Sequence, residues 1–123
     1  MIFYTSYFAK LKKLPDDVVP ISICGKAPAW YNGLQYKVLA PTYNILMKYK
    51  NDHDEAYYVE HFNSEVLGRI RAMDVVNAIS KLSGGAKKVA LICYEKPTDF
   101  CHRHLVAKWL KENGYSCEEW KEE

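Results

Sequence analysis

The segment with the greatest concentration of reactive side chains spans residues 93–104. Within it Cys101, His102 and Arg103 are consecutive, and Glu95 lies shortly before them. A thiol, an imidazole and a carboxylate are groups that proteins use for nucleophilic attack and proton transfer. A guanidinium binds anions through a fixed fork of donors. The sequence therefore predicts that Glu95, Cys101 and His102 are catalytic residues and that Arg103 binds a ligand.

The flanking patterns place this segment between a strand and a helix. Residues 88–94 contain a continuous apolar run, which is typical of a strand buried on both faces. After Pro97, apolar residues recur at helical spacing, which predicts a helix capped by Thr98 or Asp99. The first turn of a helix has unpaired N–H groups and a partial positive charge. This position suits a phosphate, sulfate or carboxylate and would also favour a thiolate at Cys101.

The rest of the chain alternates between strand-like and helix-like segments. Strands are predicted at residues 2–8, 21–24 and 115–120, and helices after Pro41, over residues 54–66, and after Asp74 as N-cap up to Gly84-Gly85. This alternation predicts a single α/β domain over residues 1–123, with a short, mostly parallel sheet of about four strands flanked by helices in Rossmann-like layering. In such sheets, ligands bind beyond the carboxyl ends of the strands.

Composition limits the class of protein. The chain has 123 residues, of which 49% are hydrophobic and 26% are charged, as in globular domains. It has neither an apolar run of membrane-spanning length nor a secretory signal pattern, so we expect a cytoplasmic protein without a membrane partner. The formal net charge of +2 does not indicate a nucleic-acid-binding protein. Neither a cofactor nor an oligomeric state is indicated.

A second group of candidate ligand-binding residues lies in the loop over residues 25–33. Lys26 supplies a positive charge there, and Trp30 and Tyr31 are adjacent large aromatic residues. Such aromatic residues either fill the core or stack on a base or sugar ring. We predict that Lys26, Trp30 and Tyr31 contact a ligand together with Arg103.

The chain has four cysteines, which we expect to be thiols in a reducing compartment. Cys24, Cys93 and Cys101 together with His102 would offer ligands that zinc prefers. Their spacing contains no Cys-x-x-Cys pair, however, so we assign no metal ligand and interpret the three cysteines as core thiols.

One motif resembles a known family. Leu-Ile-Cys-Tyr-Glu at residues 91–95, followed by Cys-His-Arg at residues 101–103, is similar to the signature of domain-of-unknown-function family 488, over about residues 89–120. In that family the second strand often ends in Asp-x-Arg before a proline. This chain instead has Ile-Cys-Gly-Lys-Ala-Pro at residues 23–28, so that Asp and that Arg are missing, and Lys26 is the candidate basic substitute before Pro28. The resemblance also implies a small cytoplasmic α/β protein of no established activity.

These observations favour a protein that binds or acts on a phosphate-bearing small molecule, such as a nucleotide, at residues 93–104. Two alternatives stay open. Residues 1–50 contain seven lysines and two aspartates, which with Trp30 and Tyr31 would suit a nucleic-acid-binding module. The cysteines would suit a thiol protein or a metal-binding protein.

Overall fold

The computed structural model describes residues 1–122 and contains one five-stranded, all-parallel sheet. Its strands are β1 (Ile2–Tyr7), β2 (Val18–Ser22), β3 (Leu34–Gln35), β4 (Lys88–Cys93) and β5 (Cys117–Glu119), in the spatial order β3-β2-β4-β1-β5. The predicted α/β class with a parallel sheet is confirmed. The strand missing from the prediction is β3, because two residues are too few to form a hydrophobic pattern.

Four α-helices connect and cover the strands: α1 (Tyr43–Asp52), α2 (Glu55–Glu65), α3 (Ala72–Leu82) and α4 (His102–Glu112). Thr42 caps α1 and Asp54 caps α2 by accepting hydrogen bonds from backbone N–H groups of the first turn.

Two predicted caps are wrong. Helix α3 begins at Ala72, so Asp74 lies inside its first turn, where it pairs with the side chain of Arg71. Helix α4 begins after Cys101, because the chain before it forms a turn in which the Asp99 N–H bonds to the Lys96 carbonyl.

The central strand β4 is buried on both faces, as its apolar run predicts. Val89 and Leu91 belong to the larger core cluster, which also contains residues from all four helices. Ala90 and Ile92 point to the opposite face and belong to a smaller cluster that segments 8–14 and 24–31 cover. All four side chains are fully inaccessible to solvent. This alternation follows from the two-residue period of a strand.

The connections after β2 and β4 diverge. These strands are neighbours, but the chain leaves β2 for β3 at one edge of the sheet and leaves β4 for β5 at the other edge. A crevice opens where adjacent strands send their connections in opposite directions, and α/β proteins bind ligands there. Cys24 follows β2 and Cys93 ends β4, so both lie at this crevice, as the sequence predicted.

Candidate functional site

A cavity of about 330 Å³ occupies the crevice at the carboxyl ends of β2 and β4. Four of the predicted site residues line it: Lys26, Glu95, Cys101 and His102. They come from the connection after β2, the connection after β4 and the amino end of α4. The fold thus gathers residues that are up to 76 positions apart in the sequence.

Helices α1 and α2 contribute an aromatic wall that the sequence did not indicate. The rings of Tyr49 and Phe100 stack with centroids 5.1 Å apart, and Tyr58 meets Phe100 edge-on at 4.9 Å. Lys50 lines the cavity beside them. Helical spacing alone places Tyr58 on the apolar stripe of α2. Only the packing of both helices against the loop before α4 brings these residues to the cavity.

Cys93 and Cys101 are joined by a disulfide, which differs from the predicted thiols. The pairing depends on the path of the chain between them, because β4 ends at Cys93 and the loop returns to place Cys101 directly before α4. Cys24 and Cys117 remain free and buried. Burial raises the pKa of each of these two thiols to about 12, so both are protonated at neutral pH.

His102 is buried and uncharged at neutral pH. Its Nε2 lies 2.8 Å from the backbone oxygen of Ile23. A carbonyl oxygen only accepts hydrogen bonds, so Nε2 carries the proton and Nδ1 keeps a lone pair. Nδ1 faces Cys101 Sγ at 3.9 Å. Burial lowers the pKa of His102 to about 4, which keeps the imidazole neutral near pH 7.

Arg103 does not line the cavity. Its side chain is completely buried, and its Nε and Nη2 each donate to a different carboxylate oxygen of Glu119 at 3.1 Å. Its Nη1 lies 2.6 Å from the backbone oxygen of Glu95 and 3.3 Å from Cys93 Sγ. The guanidinium therefore ties α4 to β5 and to the carboxyl end of β4, whereas the sequence suggested an anion clamp.

Glu119, the partner of Arg103, carries no sequence signal, because it lies in a three-residue strand at the edge of the sheet. The Glu95 side chain is exposed at the cavity wall, with Oε2 3.8 Å from Cys93 Sγ. Arg103 therefore pairs with the Glu119 carboxylate, and of Glu95 it contacts only the backbone oxygen.

Trp30 and Tyr31 lie outside the cavity lining. Tyr31 is 8% exposed, packs edge-on against Phe8 and donates its hydroxyl to the Leu34 oxygen at 2.7 Å. Trp30 also meets Phe8 edge-on but is 59% exposed. Tyr31 is therefore a core residue, and the two aromatic residues are not brought together with the residues of α4.

Fold and site together define a parallel α/β protein with a cavity at the carboxyl edge of its sheet, beside a cysteine pair. A family model described as the active DUF488-N3 subclade matches residues 7–114. The chain belongs to the DUF488 family, as the motif at residues 91–103 suggested, and this family has no established function. Searches of curated proteins and of solved structures return no match. No helix within residues 1–122 is long and apolar enough to cross a membrane.

Proposed function

We propose that the cavity binds and acts on a small phosphate-bearing molecule such as a nucleotide. The observation that carries the proposal is the convergence of Lys26 and Lys50, from two separate segments, with the amino end of α4 on one cavity. Two ammonium groups and a helix amino terminus are the features that proteins use to bind phosphate. The description of the subclade as active supports a reaction in addition to binding.

The charge balance of the cavity wall favours an anion. The charged residues of the lining are Lys26, Lys50 and Glu95, which leaves an excess of one positive charge. The helix adds about half a positive charge at its amino end. Within the described chain, Cys101 makes no side-chain cap to α4. The His104 amide bonds to the Cys101 carbonyl at 3.1 Å, which leaves the amides of His102 and Arg103 available to a ligand.

The size and the aromatic wall favour a small ligand with a planar ring. About 330 Å³ lies near the lower limit of ligand pockets, which is about 300 Å³. The rings of Tyr49 and Phe100 offer a stacking surface to a base. A nucleic-acid-binding module is less well supported, because Trp30 and Tyr31 do not share this cavity with the lysines.

Each of three residues has a separate role in the proposed reaction. Glu95, exposed at the wall, exchanges protons with the ligand. Cys101 becomes a nucleophile only after the disulfide is reduced, and the amino end of α4 then favours its thiolate. Neutral His102, held by the Ile23 carbonyl, positions the Cys101 sulfur. We expect a cytoplasmic protein, and the disulfides that occur in the cytoplasm are usually transient, opening and closing during function.

Calorimetric titration of the oxidised protein tests the proposal, with adenosine monophosphate as probe and adenosine as its uncharged control, in buffer containing a chelator. Lys26→Ala and Lys50→Ala should each weaken binding about tenfold, which corresponds to about 1.4 kcal/mol. Lys12→Ala is the matched control, because Lys12 is exposed and does not line the cavity.

The Lys12 variant should bind like the wild type, and adenosine should bind more weakly than its phosphate. If neither the nucleotide nor inorganic phosphate binds, or if all three lysine variants bind equally well, the cavity is not an anion site.

A further inference from the structure

We propose that Cys93, Cys101 and His102 of the reduced protein form a zinc site whose fourth coordination position opens into the cavity. The ligand atoms of these three residues all lie within 4.8 Å of one another, and all three residues are buried. All three also line the cavity. Two thiolates and one imidazole are ligands that Zn²⁺ prefers, and three protein ligands with one open position are typical of catalytic zinc.

The spacing of Cys101 and His102 fits two neighbouring ligands of a tetrahedral ion, and the two sulfur atoms reach such spacing once the disulfide opens. Zinc binds sulfur at about 2.3 Å and nitrogen at about 2.0–2.1 Å, so neighbouring ligand atoms in a tetrahedron are about 3.5–3.8 Å apart. The distance between Cys101 Sγ and His102 Nδ1 is 3.9 Å. Very little movement of the imidazole would be required to bind the ion.

The backbone allows the two sulfur atoms to separate. The Cα atoms of Cys93 and Cys101 are 7.6 Å apart, whereas disulfides usually join Cα atoms about 4.4–6.8 Å apart. Rotation of the two side chains away from each other therefore leaves room for an ion between them. Zinc binding and the disulfide are mutually exclusive, because zinc binds the two sulfur atoms as thiolates, whereas the disulfide joins them to each other.

The sequence of steps balances with a dithiol as the reductant. The dithiol gives two electrons and two protons to the Cys93–Cys101 disulfide and becomes a disulfide itself, which leaves two protein thiols. Zinc then displaces the two thiol protons and binds two thiolates. The neutral imidazole of His102 binds without losing a proton, because Nδ1 already has a lone pair.

The surrounding groups support the ligands in the way that metal sites require. His102 donates its Nε2 proton to the Ile23 carbonyl, and such a bond fixes the tautomer and the ring orientation of a ligating histidine. Arg103 Nη1 lies 3.3 Å from Cys93 Sγ and donates to it, which stabilises a thiolate. The positive charge of Arg103 is compensated by Glu119, so it does not oppose a cation.

Cys24 supplies a matched control. Its free, buried thiol lines the same cavity, but it is not one of the three clustered ligands, and it lies 3.8 Å from the Ile92 oxygen. Cys24→Ala removes a neighbouring sulfur without removing a proposed ligand. Anion binding is tested on oxidised, chelated protein, so its failure is distinguishable from a failure of zinc uptake. In the reduced protein, Cys101 bound to zinc is a metal ligand and not a free nucleophile.

The experiment measures zinc uptake by competition with a chromophoric chelator, after reduction with dithiothreitol and anaerobic desalting. Reduced wild type and Cys24→Ala should each take up one equivalent. Cys93→Ala and Cys101→Ala should bind at least about a hundredfold more weakly, and His102→Gln at least about tenfold more weakly. Co²⁺ in place of zinc should give the thiolate charge-transfer and tetrahedral ligand-field bands.

The wild type also provides a test that does not depend on the folding of a variant. Oxidised protein should take up no zinc, and reduction should restore the uptake. The proposal is overturned if reduced wild type takes up less than one equivalent, if oxidised protein takes up as much as reduced protein, or if folded Cys93→Ala retains wild-type affinity. Loss of uptake in Cys24→Ala would also overturn the assignment of the three ligands.

Discussion

Replacing Glu119 with Gln should remove a large part of the stability of the fold. The substitution keeps the shape of the side chain but leaves the completely buried guanidinium of Arg103 without a counter-charge. It also puts an amide NH₂ where one carboxylate oxygen accepts a hydrogen bond, at 3.1 Å, from Arg103. Removing one partner of a buried ion pair costs about 3–5 kcal/mol.

The lower end of this range applies here, because the Glu119 side chain is 16% exposed and water reaches it. We therefore expect Glu119→Gln to lose about 3 kcal/mol of unfolding free energy. For a chain of this size the midpoint of thermal unfolding should fall by roughly 10 °C. Urea titration and thermal melting, both followed by circular dichroism on oxidised protein, measure the two quantities.

Glu118→Gln is the matched control on the same strand. Glu118 is 72% exposed and pairs with Lys111 at the surface, at 3.4 Å, so its loss should change stability by no more than about 0.5 kcal/mol. Equal effects of the two substitutions would refute the reasoning. So would a loss of less than about 1 kcal/mol in Glu119→Gln, because Arg103 would then not depend on this carboxylate.

Three further predictions follow from other parts of the structure. The folded-state pKa of His102, about 4, lies below the unfolded value of 6.5, so its contribution to stability is complete above pH 6.5 and falls as the pH drops towards 4. His102→Gln should therefore reduce the acid-induced loss in urea titrations by about 3 kcal/mol, and an unchanged pH profile would contradict this. Thiol titration of the denatured, unreduced chain should find two thiols, and four after reduction; four before reduction would argue against the disulfide. Gly33→Ala would put a Cβ 2.5 Å from the Tyr31 hydroxyl and should cost about 1–3 kcal/mol by urea titration, whereas Gly25→Ala, which meets nothing within 4 Å, should be nearly neutral.

Long periodic segments were predictable from the sequence. The continuous apolar run in β4 and the spacing of Tyr58 and Phe62 in α2 report burial directly, because each pattern has the period of its backbone. The location of the cavity was also accessible, because the carboxyl ends of parallel strands share one edge of the sheet. Lys26 and Cys101 were placed there by this argument.

The wrong or incomplete expectations concern long-range partners. The sequence shows that Arg103 begins a helix, but whether it faces a ligand depends on Glu119, which arrives 16 residues later on an edge strand. Trp30 and Tyr31 are equivalent as sequence neighbours, yet one is exposed and the other is buried against Phe8. Tertiary packing decides such cases, and local spacing carries no information about it.

The two outermost strands, β3 with two residues and β5 with three, are the shortest in the sheet. A short border gives an incoming β-strand from another molecule only a few backbone groups to pair with, and proteins use this device against fibrillar self-association. The most apolar strand, β4, is enclosed in the middle, so native molecules at high concentration have little template for amyloid-like growth.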